Sequence, residues 1–254
     1  MFSEKERILA NEASLASSLL GHGLNALRRA DEYHYNKGLY YQAFFSLSIG
    51  IERLLKIIII SQHRYKSEGI FPEDIKLKKM GHDLSKLCKS ANIEFENIMH
   101  GKLIEFLNGF SKIARYYNID FVVGESSNNT DPLREWALIE HEIYKAIPKK
   151  KKIQDKEVLA PLINQVSLVI QYDLQGNLVT SASDLLTASE VRETIKGYPT
   201  QFMFEMVKVL AGELRRLELE NEKYLMPVLS EFFDVYTYDW RPFEIRRKKN
   251  WLNI

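Results

Sequence analysis

Apolar residues recur at intervals of three and four along most of this 254-residue chain, which is the spacing of helices that bury one face. Residues 4–34 carry the first such stripe without an interrupting proline, and we predict a helix there. Its apolar positions are Ile8, Leu15, Leu19, Leu20, Leu24 and Leu27. Gly21 and Gly23 lie in the middle of the segment, where each costs about 1 kcal/mol relative to alanine and favours a kink.

Residues 37–60, KGLYYQAFFSLSIGIERLLKIIII, predict a second helix that is apolar around most of its circumference. Glu52 and Lys56 are the exception, because a spacing of four places an acid and a base on one face. A helix with so little polar surface is expected at the centre of a bundle. We also expect this bundle to self-associate as a homodimer.

Shorter helices and polar connections follow. A loop is predicted at residues 67–81, which contain glycine, proline and scattered charges. His82 and Asp83 then open a third helix, with the acid near the helix N-terminus, where the partial positive charge favours it. A fourth helix is predicted at residues 102–117, and the small and polar residues at 124–131, GESSNNTD, predict a linker.

Another amphipathic helix begins at Asp131-Pro132, because proline is favoured in the first turn of a helix. Its apolar stripe comprises Leu133, Trp136, Ile139, Ile143 and Ile147. Pro148 ends the helix, and the four lysines Lys149 to Lys152 are interpreted as a solvated domain boundary, with nucleic-acid contact as the alternative. The chain is therefore predicted to divide into a helical bundle at residues 1–148 and a second, mainly helical region at residues 149–254.

The second region includes a pattern that is typical of strands. A small β-hairpin is predicted at residues 166–180, where apolar residues alternate with others before the turn segment DLQGN. Ile163, Val166 and Ile170 would also suit one face of a helix. Two further helices and an aromatic, then basic, end are predicted at residues 184–197, 199–220 and 227–251.

The composition excludes several classes of protein. Lys and Arg number 35 against 34 Asp and Glu, so no overall positive charge draws the whole surface to nucleic acid. Cys88 is the only cysteine, which excludes an intrachain disulfide and a thiolate metal site. The sequence contains no motif for a metal, a cofactor or a serine nucleophile. Neither a secretion signal nor a membrane span is found, so we expect a cytoplasmic location and no membrane contact.

Three short motifs lie in order along residues 1–147: Ala43 followed by IERLLK, then GHDLSKL, then ARYYNID. Together they resemble the HEPN superfamily, which has an apolar helix ending in a Glu and Lys stripe, a His-Asp-Leu helix start and, in members that act beside nucleotidyltransferases, an Arg-Tyr pattern. The resemblance implies an up-and-down helical bundle that often dimerises. It also implies a nucleotide or RNA as ligand and a nucleotidyltransferase as partner.

Many HEPN proteins are metal-independent ribonucleases in phage defence or toxins, and the resemblance implies this activity as an alternative. In those enzymes an arginine is followed, after four to six intervening residues, by a histidine, so that one group holds the phosphate and the other moves the proton of the 2′-hydroxyl. No histidine follows Arg115 at that spacing. Arg134 and His141 do satisfy it and share one helical face, with a surface ion pair as the competing interpretation. The other match pairs Arg28 or Arg29 with His34.

Two groups of residues are candidates for ligand binding. In the first, Arg115, Tyr116, Tyr117 and Asn118, a guanidinium can grip a phosphate while the rings stack on a base. The competing interpretation is a helix end capped by tyrosine.

The second group consists of His82, Glu52 and Lys56. Its structural alternative is that His82 caps backbone N–H groups, while Glu52 and Lys56 pair with each other or with His82 inside the bundle.

These patterns predict a non-catalytic, HEPN-like binding module that associates with a nucleotide or RNA in a defence or toxin–antitoxin context. The alternative is a metal-independent ribonuclease toxin that uses Arg134 and His141. A third hypothesis is a purely structural protein-interaction module.

Overall fold

A computed structural model of the protein describes residues 3–31, 36–73, 81–112, 116–124, 131–152, 171–179, 191–220 and 228–252. The described chain is mainly helical, with one short pair of strands, as the sequence predicts. The helices are α1 (Glu4–Arg29), α2 (Lys37–Lys66), α3 (Leu84–Ser90), α4 (Ile98–Lys112), α5 (Tyr117–Val122), α6 (Pro132–Ala146), α7 (Tyr198–Glu220), α8 (Asp234–Thr237) and α9 (Pro242–Arg247), with 3-10 turns at Lys149–Lys151 and Ser230–Phe233. Residues 191–195 are also helical.

Side chains at the helix starts explain several boundaries. Ser3 and Glu6 form a reciprocal capping box at the start of α1, so that two of the otherwise unpaired backbone N–H groups are satisfied. The Asp83 carboxylate accepts from the N–H of Lys86, 3.0 Å away, and Asp131 caps α6 in the same manner. The predicted helix starts at these two aspartates are therefore confirmed.

Other predicted boundaries were wrong. Helix α1 ends at Arg29 rather than continuing to residue 34, and α2 continues six residues beyond Ile60. The helix predicted at residues 102–117 is α4, which begins at Ile98 and ends at Lys112; α5 begins separately at Tyr117. Propensity fixes helix ends only weakly, because packing against neighbouring helices decides how far each one continues.

The predicted hairpin is confirmed over the residues that the structure describes. Strand β1 (Gln171–Tyr172) pairs antiparallel with β2 (Leu178–Val179), and the Asp173 carboxylate accepts from the N–H groups of Gln175 and Asn177 in the turn. Gly176 has a φ of 80°, a conformation that glycine adopts without steric cost. The predicted strand residues 166–170 and the linker residues 125–130 lie outside the described residues.

Helices α1 and α2 cross at close range, and each presents a glycine to a leucine of the other. A Cβ atom at Gly23 would lie 2.6 Å from Leu47 Cγ, and one at Gly50 would lie 2.9 Å from Leu20 Cγ. Both distances are shorter than van der Waals contact, so only glycine fits without displacement. The glycines predicted to kink α1 therefore allow close packing, and α1 runs uninterrupted through them.

Aromatic side chains fill the space beside this crossing. Phe44 of α2, Phe106 of α4 and Trp136 of α6 are buried, with ring centroids 4.7 to 5.2 Å apart. Aromatic pairs at such distances gain about 0.5 to 1.5 kcal/mol beyond area burial. This cluster fixes α4 and α6 against α2, which occupies the central position that its apolar surface predicts.

The C-terminal region packs on the same core. Helix α7 contacts α1, α2, α4 and α6, and its Phe204 ring lies 4.6 Å from the buried ring of Trp251. The apolar side chains of both regions form one continuous cluster. The division predicted between residues 148 and 149 stays a prediction. Among the residues that the structure describes, no helix combines the length and the apolar character needed to cross a membrane.

Replacement of Gly23 or Gly50 by alanine is expected to lower the free energy of unfolding by about 1 to 2 kcal/mol, because the added methyl group overpacks the crossing by more than the gain in helix propensity. The control is Gly212→Ala in the middle of α7, where a Cβ atom would meet nothing within 4 Å. This variant should be more stable by up to about 1 kcal/mol. Urea denaturation followed by circular dichroism measures all three; equal effects at the three positions would contradict the close crossing.

Candidate functional site

The Glu52 side chain contacts both Lys56 and His82, which is the pairing that the structural interpretation of these three residues predicts. The Glu52 carboxylate lies 2.7 Å from Lys56 Nζ and 2.9 Å from His82 Nδ1. The predicted interior location was wrong, since the His82 side chain is 77% exposed and Glu52 lies at the edge of the core, 15% exposed. The predicted capping by His82 was also wrong, because Asp83 caps α3 instead.

These three residues line a cleft of 390 Å³, together with Leu9, Glu12, Arg53, Ile57 and Ile60. The charges around it compensate one another, because Arg53 pairs with Glu12 and both Lys56 and His82 face Glu52. Ion pairs that are open to solvent contribute at most about 1 kcal/mol each. The arrangement holds α3 against α2 and leaves no net charge to attract a charged ligand.

The tyrosine motif is described only in part. Arg115 lies outside the described residues, while Tyr116 is 55% exposed and Tyr117 is the half-buried first residue of α5. The Asn118 amide oxygen accepts from Tyr41 Oη at 3.3 Å, which ties α5 to α2. A phosphate contact by Arg115 stays a prediction.

Arg134 and His141 lie on the exposed side of α6, two turns apart. Neither side chain forms an ion pair with a residue in the described part of the chain, so the surface ion pair offered as their structural explanation is not found there. The nearby Tyr144 ring is covered by Lys152, whose Nζ lies 3.7 Å from the ring centroid. The other three lysines of the predicted boundary are exposed.

A cleft that was not predicted from the sequence lies where the end of α1 meets residues 191–200 and the C-terminal segment, residues 242–252. Its volume is 360 Å³. Its described charged lining consists of Arg28, Arg29, Asp31, Glu140, Arg192, Lys196 and Lys249. Five cations thus face two carboxylates, in a chain whose overall charge is balanced. We call this the basic cleft.

The carboxylates of the basic cleft already have partners. Asp31 lies 2.9 Å from Arg192 Nη1, and Glu140 accepts hydrogen bonds from Trp136 Nε1 at 2.7 Å and from Tyr40 Oη at 3.1 Å. Lys196 pairs with Glu193 at 2.6 Å. Asp31 and Glu193 therefore compensate Arg192 and Lys196, whereas Glu140 is bound by neutral donors and keeps its charge. The other three cations of the cleft, Arg28, Arg29 and Lys249, outnumber this one carboxylate.

Arg28 is the most unusual of these cations. Its guanidinium is half-buried, its Nε donates to the carbonyl oxygen of Arg246 at 3.1 Å, and it forms no ion pair with a residue that the structure describes. Burial lowers the pKa of the Arg28 guanidinium, and the charge of Glu193 acts in the opposite direction. An arginine remains charged at neutral pH nevertheless, so the cleft holds a partly desolvated cation with free donors.

The C-terminal segment is held in place by two close approaches. At Gly197, whose φ is 86°, a Cβ atom would lie 2.5 Å from the carbonyl oxygen of Arg246. At Gly21 it would lie 2.8 Å from the carbonyl oxygen of Trp251. The Asn25 side chain accepts from the N–H of Trp251 at 2.9 Å. The backbone at the end of α9 can therefore lie directly against the 196–197 turn, and the backbone at Trp251 can lie directly against α1.

Two sequence signals mark the basic cleft, although neither is sufficient alone. They are the paired arginines that end α1 and the run Arg246, Arg247, Lys248 and Lys249. Basic residues in the last turn of a helix are common because they complement its dipole, which gives Arg28 and Arg29 an ordinary structural explanation. Only the fold shows that the two basic segments meet.

The described residues contain no group of three or more His, Cys, Asp or Glu side chains placed to hold a metal ion. Comparison with known proteins gave no match to a protein-family model, a curated protein or a solved structure. The resemblance to the HEPN superfamily therefore stays a prediction that depends on the three motifs.

His82 and Asp83, which precede α3, should differ in their effect on stability. Asp83→Ala is expected to cost about 1 kcal/mol, because it removes the N-cap, whereas His82→Ala should cost less than about 0.5 kcal/mol.

Hydrogen bonding from Lys112 lowers the pKa of Asp83 below its ordinary value of 3.8. The stabilisation by Asp83 is therefore complete above that pH and is lost as the pH falls further. Thermal melts between neutral and acid pH test both statements, and a larger loss in His82→Ala would contradict the assignment.

Proposed function

We propose that this protein is a non-catalytic binding module for a phosphate-bearing ligand, a nucleotide or RNA, and that the basic cleft holds the phosphate. The observation that carries the proposal is the half-buried guanidinium of Arg28, which forms no ion pair with a carboxylate among the described residues. The more distant charge of Glu193 offsets only part of the cost of burying this cation, and a bound anion relieves the rest. Arginine also presents two parallel donors that match two phosphate oxygens.

The surrounding charges support the same ligand class. Arg29 and Lys249 line the basic cleft, and Arg246 lies beside it; each forms no ion pair with a described residue. Arg246 is held in place by Gln201, whose amide oxygen accepts from Arg246 Nη1 at 2.6 Å. Charge gathered on a concave surface focuses the electrostatic potential there, even though the chain as a whole is almost neutral.

In the metal-independent ribonucleases of the resemblance a histidine moves the proton. None of the described residues that line the basic cleft is a histidine, so the proposal for this cleft is limited to binding. His34, which follows Arg28 and Arg29 at the spacing of the ribonucleases, lies outside the described residues. The ribonuclease alternative that uses Arg134 and His141 would act on the exposed side of α6, and it stays a prediction.

The HEPN-like motifs of residues 1–147 support a nucleotide or RNA ligand independently of the cleft. Under this proposal the nucleotidyltransferase partner, the homodimer and the defence context follow from the resemblance. The basic cleft adds a binding site to which the C-terminal region contributes.

Arg28→Gln is expected to weaken binding of ATP, because it removes the charge and leaves only an amide donor on a shorter side chain. The loss of a charged hydrogen bond, about 1.5 to 3 kcal/mol, corresponds to an affinity about 10- to 100-fold lower. Isothermal titration calorimetry with ATP at low ionic strength measures it, and thermal melting verifies that the variant is folded.

Arg7→Gln is the matched control, since it removes the same charge from an exposed position near the start of α1 and should leave ATP affinity unchanged. Arg115→Ala separates the two candidate sites. If Arg115→Ala abolishes ATP binding and Arg28→Gln does not, the ligand binds at the tyrosine motif and the assignment to the basic cleft is wrong. Absence of ATP binding by the unaltered protein would contradict the proposed function.

A further inference from the structure

We infer that the basic cleft continues into a second nucleotide subsite formed by Phe243 and Arg247, and that the full ligand is a single strand of nucleic acid rather than a free nucleotide. This inference rests on the proposed function, because it extends the same phosphate site. It assigns a base-stacking role to Phe243, which lies in α9.

The first observation is that two clefts are adjacent and share lining residues. A second cleft of 800 Å³ is lined by Arg28, Glu193, Lys196, Phe243, Arg246 and Arg247. It shares Arg28 and Lys196 with the basic cleft, so the half-buried guanidinium faces both spaces. A single phosphate at Arg28 would leave room on either side of it.

The second observation is that the cations continue past Arg28. The second cleft contains four cations and one carboxylate, Glu193, which already pairs with Lys196. Arg246 and Arg247 form no ion pair with a residue in the described ranges. Phosphates that follow one another along a strand can therefore contact Lys249, then Arg28, then Arg247, whereas a mononucleotide would leave part of this row without a counterion.

The third observation selects a ligand that carries bases. The Phe243 side chain is 40% exposed in the second cleft, and the Arg241 guanidinium covers its ring at 4.6 Å from the centroid. Glu244 accepts from Arg241 Nη2 at 2.7 Å, which holds that guanidinium in place. An exposed aromatic ring beside unpaired cations is the arrangement that binds unpaired bases by stacking.

The same geometry favours a single strand over a duplex or an acidic peptide. In a duplex the bases are already stacked and their faces cannot reach Phe243. An acidic peptide would satisfy the cations but would not need the exposed ring. RNA and DNA single strands share the chemistry that the two clefts recognise, since both carry phosphates and bases with stackable faces.

The test measures fluorescence anisotropy of labelled oligouridylates from about 2 to about 12 nucleotides long, against the whole chain at fixed ionic strength. Affinity should rise with length until both clefts are filled. Phe243→Ala should lower the affinity for the longer strands by about 5- to 100-fold and leave ATP affinity unchanged, because ATP needs only the first subsite. Arg247→Gln should reduce the salt dependence of strand binding by about one phosphate contact.

The matched control is Tyr65→Ala, which removes an aromatic ring of similar exposure, 46%, from the last turn of α2. It should leave strand binding unchanged. Because Phe243 is exposed, its substitution is not expected to unfold α9, and circular dichroism verifies this.

The possible results separate this inference from the proposed function. If ATP binds and Arg28→Gln weakens it, but strands bind no more tightly than ATP or Phe243→Ala has no effect, the second subsite is wrong and the phosphate site stands. If neither ATP nor strands bind, both are wrong. Tighter binding of duplex RNA or of polyglutamate than of the single strand also overturns the inference. Parallel titrations with oligouridylate and oligothymidylate decide between RNA and DNA as the source of the strand.

Discussion

The close approach that α1 allows at Gly21 and Gly23 is the constraint on which the rest of the structure depends. Two residues correspond to about 200° around a helix, so these glycines open nearly opposite sides of α1. Gly23 admits Leu47 of α2, and Gly21 admits the backbone at Trp251. Helix α1 is therefore packed between the central helix of the bundle and the C-terminal segment, and a side chain at either position would displace one of them.

Docking at Gly21 has an electrostatic consequence. It places the basic run that begins at Arg246 against the arginines that end α1, although like charges repel. Burial of the Trp251 side chain, which is 1% exposed, and the hydrogen bonds of Asn25 offset that repulsion. The folded chain thus holds cations together at a cost in stability, and a bound anion would lower this cost. Sites of binding are commonly where a protein departs from its most stable arrangement.

The sequence predicted the features that depend on local chemistry. Helix starts at Asp83 and at Asp131-Pro132 follow from capping, and the turn at Gly176 follows from a short polar segment between strands. The pairing of Glu52 with Lys56 follows from their spacing of four.

What could not be predicted depends on contacts between distant segments. Helical periodicity shows which face of α1 is apolar, but it does not show that residues more than 200 positions away cover Gly21, nor that Arg246 accepts from Arg28. For the same reason the sequence of α1 predicts that its glycines weaken the helix, whereas the structure uses them for close packing. For His82, the local pattern suggested a cap, whereas contact with α2 places its ring beside Glu52. The basic cleft is a property of the tertiary structure, and its residues are ordinary when each is considered in its own segment.

The most direct test of this account is ATP binding by Gly21→Val, a variant in which no charged residue is altered. The added side chain is expected to displace Trp251 and the basic run before it. Tryptophan fluorescence should then shift toward that of exposed indole, and ATP affinity should fall about 10-fold or more, as for the loss of a charged contact. Gly212→Val, at a glycine with nothing within 4 Å of the added Cβ, is the control that should retain ATP affinity. If Gly21→Val binds ATP as tightly as the unaltered protein does, docking of the C-terminal segment on α1 does not assemble the site.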